Sequence, residues 1–227
     1  MKNPVKSMVI INFKASKRGC GDNAVALAKQ IDIVNNRISD FEIAVALQPQ
    51  DIYRVRRATK LKIYAQHVDP IYYGNHSGSI CPEAIKDAGA TGTLLNHPEK
   101  KISKKEIEAT IKISKEIGLE VALFASNVIE GIQLSTYHPN YIVIEYERLI
   151  GSSLSLMETC PEIVKEALLH INNQVLFGAG IKTSRDTFEI INNGGAGVIV
   201  SSVVVNSDNP VAALSTLLGK NDLIHAE

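Results

Sequence analysis

Short runs of apolar, β-branched residues recur along the chain, and each is followed by a segment with helical periodicity. The runs are VIINF (9–13), EIAVAL (42–47), KIYAQ (62–66), TGTLLN (91–96), EVALFA (120–125), YIVIE (141–145), QVLFGAG (174–180) and GVIVSS (197–202). They are nearly continuously apolar rather than alternating. That is the pattern of strands buried on both faces, as in a parallel sheet covered by helices. The helical followers begin near residues 22, 51, 82, 103, 127, 160, 184 and 208. Ser103, Ser184 and Ser207 or Asp208 are the expected N-caps, and Gly118 and Gly194 the expected helix ends.

Eight strand–helix pairs with no Pro- or Gly-rich linker between them predict one α/β domain over residues 1–227, a closed (β/α)8 barrel. A doubly wound open sheet is the rival. It uses fewer strands and places a Gly-x-Gly-x-x-Gly turn after its first strand. The first turn here is KASKRGCGD, and Gly19 and Gly21 do not form that pattern, so dinucleotide binding has no support.

Composition narrows the partners. There are 24 basic and 24 acidic residues, a formal net charge of zero, so no basic excess points to nucleic acid or an anionic membrane. No apolar stretch approaches a membrane span, and the one after the first lysines is too short for a signal peptide. Cys20, Cys81 and Cys160 are odd in number and far apart, which argues against a disulfide framework or zinc site and suits a reducing cytoplasm.

In a (β/α)8 barrel the chemistry gathers at the C-terminal ends of the strands. Run one ends with Asn12 and Lys14, two apart and on one face. Run four ends with Asn96, His97, Pro98 and Glu99, and run six with Glu145. Tyr141, Val143 and Glu145 share a face, which favours Glu145 over Glu147. Runs seven and eight end in Gly178, Gly180, Ser201 and Ser202, where this fold class commonly holds phosphate. Singly, each has a plain alternative. Lys14 can snorkel to the surface, and His97 can be a hydrogen-bonded structural residue. Glu99 suits the first turn of a helix, Glu145 a solvated loop mouth, and the glycines a tight turn. Together they place a lysine, a histidine, a carboxylate and a phosphate-type loop at one end of the fold.

The ordered set NFK (12–14), NHPE (96–99), IEYERLIGS (144–152), GAGI (178–181) and VIVSS (198–202) resembles triosephosphate isomerase in its short archaeal form. The stretch QHVDPIYYGNHSGSICPEAIKDAGATGTLLNH (66–97) is especially similar, and the likeness runs from about residue 8 to residue 218. That family gives the TIM barrel its name. The resemblance implies interconversion of dihydroxyacetone phosphate and D-glyceraldehyde 3-phosphate in glycolysis and gluconeogenesis, without cofactor or metal. Glu145 would be the base, His97 the neutral electrophile and Lys14 the cation, helped by Asn12. Gly151, Gly180, Ser201 and Ser202 would present N–H groups to the phosphate, with Asn96 and Glu99 in support. The segment after Glu145 would be a lid. The loop 67–79 would reach a second copy, making Gln66, Asn75 and Ser77 interface residues of a homodimer or homotetramer.

The chain departs from the family's pattern at several points. Pro98 stands for a serine, Tyr146 for a proline, Ser152 and Ser153 for Thr-Gly, and Val203 for a glycine. Lys14-Ala15-Ser16 replaces Lys-Thr-Tyr. A barrel that binds a phosphate ester but has lost or altered its isomerase activity is therefore the alternative reading. His67 and His76 flank the long loop but lack a third ligand for a metal.

Overall fold

The computed structural model describes residues 6–149, 152 and 154–225, apart from the side chains of Glu147, Ile224 and His225. Gly151 and Ser153 lie outside the described residues. Eight parallel strands close in sequence order: β1 (Ser7–Asn12), β2 (Phe41–Leu47), β3 (Lys62–Ala65), β4 (Gly92–Leu95), β5 (Glu120–Ala125), β6 (Tyr141–Glu145), β7 (Gln174–Gly178) and β8 (Gly197–Val200). Closure is made by β8 against β1, with Met8 opposite Gly197 and Ile11 opposite Val200. The expected (β/α)8 barrel is present.

The helices are α1 (Gly21–Asn35), α2 (Pro49–Ala58), α3 (Pro82–Asp87), α4 (Lys104–Ile117), α5 (Val128–Ser135), α6 (Leu156–Thr159), α7 (Pro161–His170), α8 (Ser184–Asn192), α9 (Ser202–Val205) and α10 (Pro210–Leu217). Their ends follow local chemistry. Ser103 and Glu106 form a capping box at α4, and Gly118 (φ +67°) closes it in the left-handed conformation. The caps of α8 and α10 are Thr183 and Asn209, not Ser184 and Ser207 or Asp208. Thr183 wins because Asp186, three residues on, completes a second capping box. Two short helices were not read from sequence. Pro161 keeps Cys160 out of the helical region and separates α6 from α7. A 3-10 turn over Asn221–His225 follows α10.

Alternation along the strands sorts two cores. Met8, Ile10, Ala44, Ala46, Tyr64, Leu94, Ala122, Phe124, Val143, Leu176 and Ile199 fill the barrel. The other face of the same strands, Val9, Ile11, Ile43, Val45, Ile63, Leu123 and Val175 among them, packs under the helices. Each such fully buried side chain stabilises by about 1.5–3 kcal/mol. The interior is closed at its N-terminal end by charge. Lys62 lies 3.3 Å from Glu42 and 2.9 Å from Glu120, and the Tyr64 hydroxyl donates to Glu120. The Tyr64 ring needs the space left by Gly92, where a Cβ would sit 2.4 Å from the ring. At the other end the inward rows continue into polar residues: Met8, Ile10, then Asn12, and Tyr141, Val143, then Glu145.

Candidate active site

Asn12, Lys14, His97, Glu145, Gly180, Ser201 and Ser202 line one cleft at the C-terminal ends of the strands. Glu145 closes β6 with its side chain 12% exposed. Its register partner on β7 is Gly178, where the absent side chain leaves room between the Glu145 carboxylate and Ile199. The Glu145 Oε2 atom stands 3.5 Å from His97 Nε2.

His97 is oriented from three sides. Its ring lies edge-on to Phe124 of the barrel interior, with centroids 4.8 Å apart. Asn96, at φ +60°, turns the chain sharply out of β4. The Asn96 amide donates to the Phe124 carbonyl at 2.9 Å and accepts from Ile102 N–H at 3.1 Å, so it ties the turn to β5. His97 Nδ1 accepts the Glu99 backbone N–H at 3.1 Å. An acceptor nitrogen carries no proton, so the neutral ring holds its proton on Nε2, facing the cleft and Glu145. Burial pushes the His97 pKa down to about 4; Glu99 opposes this, while Lys14 and Lys101 add to it. The imidazole is neutral at pH 7.

This geometry answers what Pro98 does. Proline has no N–H, but the donor to His97 is the following residue, Glu99. Pro98 occupies the first position of the 3-10 turn Pro98–Lys100, with His97 as its N-cap. The missing donor is an orphan of the turn and costs little there.

Lys14 sits at φ +50° just past β1, and its N–H donates to Asn12 Oδ1 at 3.0 Å. Its ammonium meets Glu99 Oε1 at 2.7 Å. Partial burial pushes the Glu99 carboxyl up, but the hydrogen bond and charge of Lys14 outweigh it and hold it below the usual range. Gln66, named above as an interface residue, clamps the first loop of its own chain. Its amide donates to Lys14 O at 3.0 Å and Ala46 O at 3.1 Å, and accepts from Gln48 at 2.7 Å. Asn75 and Ser77 stand exposed in the long loop. The base of that loop is fixed by Asp69, which accepts the Ile80 N–H at 2.6 Å and pairs with His67 at 3.1 Å. His67 thus has a carboxylate partner. Among the described residues no three His, Cys, Asp or Glu side chains gather as metal ligands.

The β7 side of the cleft is built on strain that glycine relieves. Ala179 (φ +55°) and Gly180 (φ +72°) turn the chain, and a Cβ on Gly180 would lie 2.8 Å from Leu156 N and 3.0 Å from Leu149. The segment after Glu145 therefore rests directly on this turn: Leu149 is buried, and Leu156 N–H donates to Gly180 O at 3.0 Å. Tyr146, where proline was expected, packs against the outer core and accepts the Leu149 N–H through its carbonyl at 2.9 Å. Asp186, 2% exposed, accepts from Lys182 N and Thr183 N, both at 2.9 Å, and from the Ser155 hydroxyl. It joins the loop after β7 to the end of the segment after β6. Val203, standing for a glycine, lines the cleft beside Ser202. The sequence reading missed Lys182, Asp186 and Leu149, which all lie off the strands whose ends it searched.

The triosephosphate isomerase family model matches residues 7–123. A triosephosphate isomerase of Methanobacterium bryantii is 38% identical over 218 residues, covering 94% of this chain and 96% of the relative. One of Saccharolobus solfataricus is 36% identical and covers 92% of each. A third, from Methanobrevibacter smithii, is 32% identical over 97% of this chain and the whole of the relative. Extent and identity together settle descent: the chain belongs to the triosephosphate isomerase family.

Proposed function

We propose that the chain interconverts dihydroxyacetone phosphate and D-glyceraldehyde 3-phosphate by proton transfer through an enediolate. The observation that carries this reading is the pairing at the cleft floor. A neutral His97, held by Glu99 N–H, presents Nε2–H to the space that the Glu145 carboxylate also faces, 3.5 Å away. This family is the standard illustration of that device, a lowered histidine beside a carboxylate base.

Glu145 takes a proton from the carbon beside the substrate carbonyl; the C–H electron pair forms a C=C bond and the C=O π pair moves onto the oxygen, giving the enediolate. His97 Nε2–H donates to the oxygen as its charge grows. His97 Nε2 passes its proton to that oxygen and takes one from the adjacent hydroxyl. Glu145 returns its proton to the former carbonyl carbon, the deprotonated oxygen becomes the new carbonyl, and both side chains regain their starting states. Lys14 supplies positive charge next to the developing enediolate, with Asn12 and Glu99 holding it in place. Backbone N–H groups at Gly180, Ser201 and Ser202 receive the phosphate, whose binding energy holds the site closed over the enediolate. Gly151 belongs to this reading by resemblance. We place the protein in the cytoplasm as a homodimer or homotetramer, with Gln66 and, from the exposed loop, Asn75 and Ser77 at the contact.

Turnover in deuterium oxide tests the reaction class. The expected product carries deuterium on the carbon beside its carbonyl, read by proton NMR. Product formed without any solvent hydrogen would mean direct hydride shift and would end the reading, as would absence of product.

A further inference from the structure

Lys182 has no part in the roles above, yet it lines the same cleft as Lys14, His97 and Glu145. It lies two residues beyond Gly180, on the turn after β7. Its main chain is fixed: the N–H donates to the buried Asp186 carboxylate at 2.9 Å. Its ammonium donates to the Ser152 carbonyl at 2.7 Å. The contrast with Lys14 is informative. Lys14 meets a carboxylate, which offsets its charge. The Lys182 ammonium is oriented by a neutral carbonyl, and among the described residues no carboxylate forms an ion pair with it. An ammonium has three protons to donate, and the Ser152 contact uses one of them.

We propose that Lys182 is a phosphate-binding residue of this chain: its ammonium pairs with the phosphoryl end of the substrate on the β7–β8 side of the cleft. This rests on the reading of the cleft as a triose phosphate site. It adds a charge-assisted contact to the backbone N–H groups of Gly180, Ser201 and Ser202. The chemistry fits the position. A compact ammonium is a strong point-charge partner for a phosphate oxygen. At the half-buried wall of a cleft such a pair is screened less than on open surface. Positive charge then stands at both ends of the substrate, Lys14 beside the developing enediolate and Lys182 at the phosphate dianion.

The test compares the unaltered chain with Lys182→Met, Lys182→Gln and Lys182→Arg at fixed ionic strength. Steady-state turnover of glyceraldehyde 3-phosphate gives kcat and KM. Inorganic phosphate, used as a competitive inhibitor and titrated calorimetrically, gives its own binding constant. Loss of one charge-assisted bond at a partly exposed site is expected to weaken phosphate about tenfold and to raise KM by a similar factor. We expect kcat to change less than threefold, and Lys182→Arg to stay near the unaltered chain. Gln keeps a donor for the Ser152 carbonyl and lacks the charge, so it separates binding from local support. Phosphate affinity changed less than threefold in both neutral variants overturns the proposal. So does an Arg variant as weak as they are, or a loss confined to kcat. Absence of turnover in the unaltered chain defeats the isomerase reading instead, and the calorimetric comparison still decides Lys182.

Discussion

Protonating His97 is the perturbation whose cost the structure states most fully. The ring is 9% exposed, edge-on to Phe124, with Nδ1 bonded to Glu99 N–H. Placing a charge there removes it from water and breaks the Glu99 contact, because a protonated Nδ1 no longer accepts. The folded pKa of about 4 lies below the ordinary 6.5. Between these values the unfolded chain binds more protons than the folded one, so stability rises with pH across that window. The contribution is fully present above about pH 6.5 and lost as pH falls toward 4. The full difference is about 3 kcal/mol, and about 2 kcal/mol of it is gone at pH 5. Urea unfolding at pH 8 and pH 5 reads this, with His97→Gln as reference because it lacks the titration. The unaltered chain is expected to lose about 2 kcal/mol more than the variant between the two pH values. An imidazole NMR titration gives the same answer directly, with a midpoint near 4. Parallel stability profiles, or a midpoint at 6 or above, would refute the argument that burial keeps His97 neutral.

Two further substitutions probe the frame around it. Gly180→Ala forces a side chain into φ +72° and against Leu156 N at 2.8 Å; we expect a stability loss of about 2–4 kcal/mol and a shift of kcat and KM together, and unchanged melting with unchanged kinetics would show that the turn tolerates a side chain. Pro98→Ser is expected to leave kcat/KM within about twofold, since Glu99 rather than residue 98 holds His97; a large gain in turnover would mean Pro98 handicaps the site.

Much of the barrel was readable because its physics is local and periodic. Apolar runs buried on both faces marked all eight strands, and the i, i+2 rule put Glu145 on the inward row behind Tyr141 and Val143. That rule also put Asn12 and Lys14 on one face. Lys14, His97 and Glu145 were found by asking what each strand ends with. What escaped depends on contacts between segments distant in sequence. Nothing near Gln66 announces that it clamps Lys14 O. Asp186 looks like a helix-capping carboxylate, which it is, and only the fold reveals that it also receives Ser155. Lys182 follows a turn instead of ending a strand, two residues beyond Gly180. The Lys62–Glu120–Tyr64 group was hidden in two apolar-looking runs, because β3 and β5 are separated by β4 and these side chains meet only once the barrel closes.

The central claim is that Glu145 moves the proton. Its most direct test is kcat for glyceraldehyde 3-phosphate in the unaltered chain and in Glu145→Gln, which keeps the shape and removes the base. Losing a positioned general base is expected to lower kcat by about a thousandfold, with the variant still binding inorganic phosphate. A Glu145→Gln chain that keeps kcat within tenfold of the unaltered one would contradict the account.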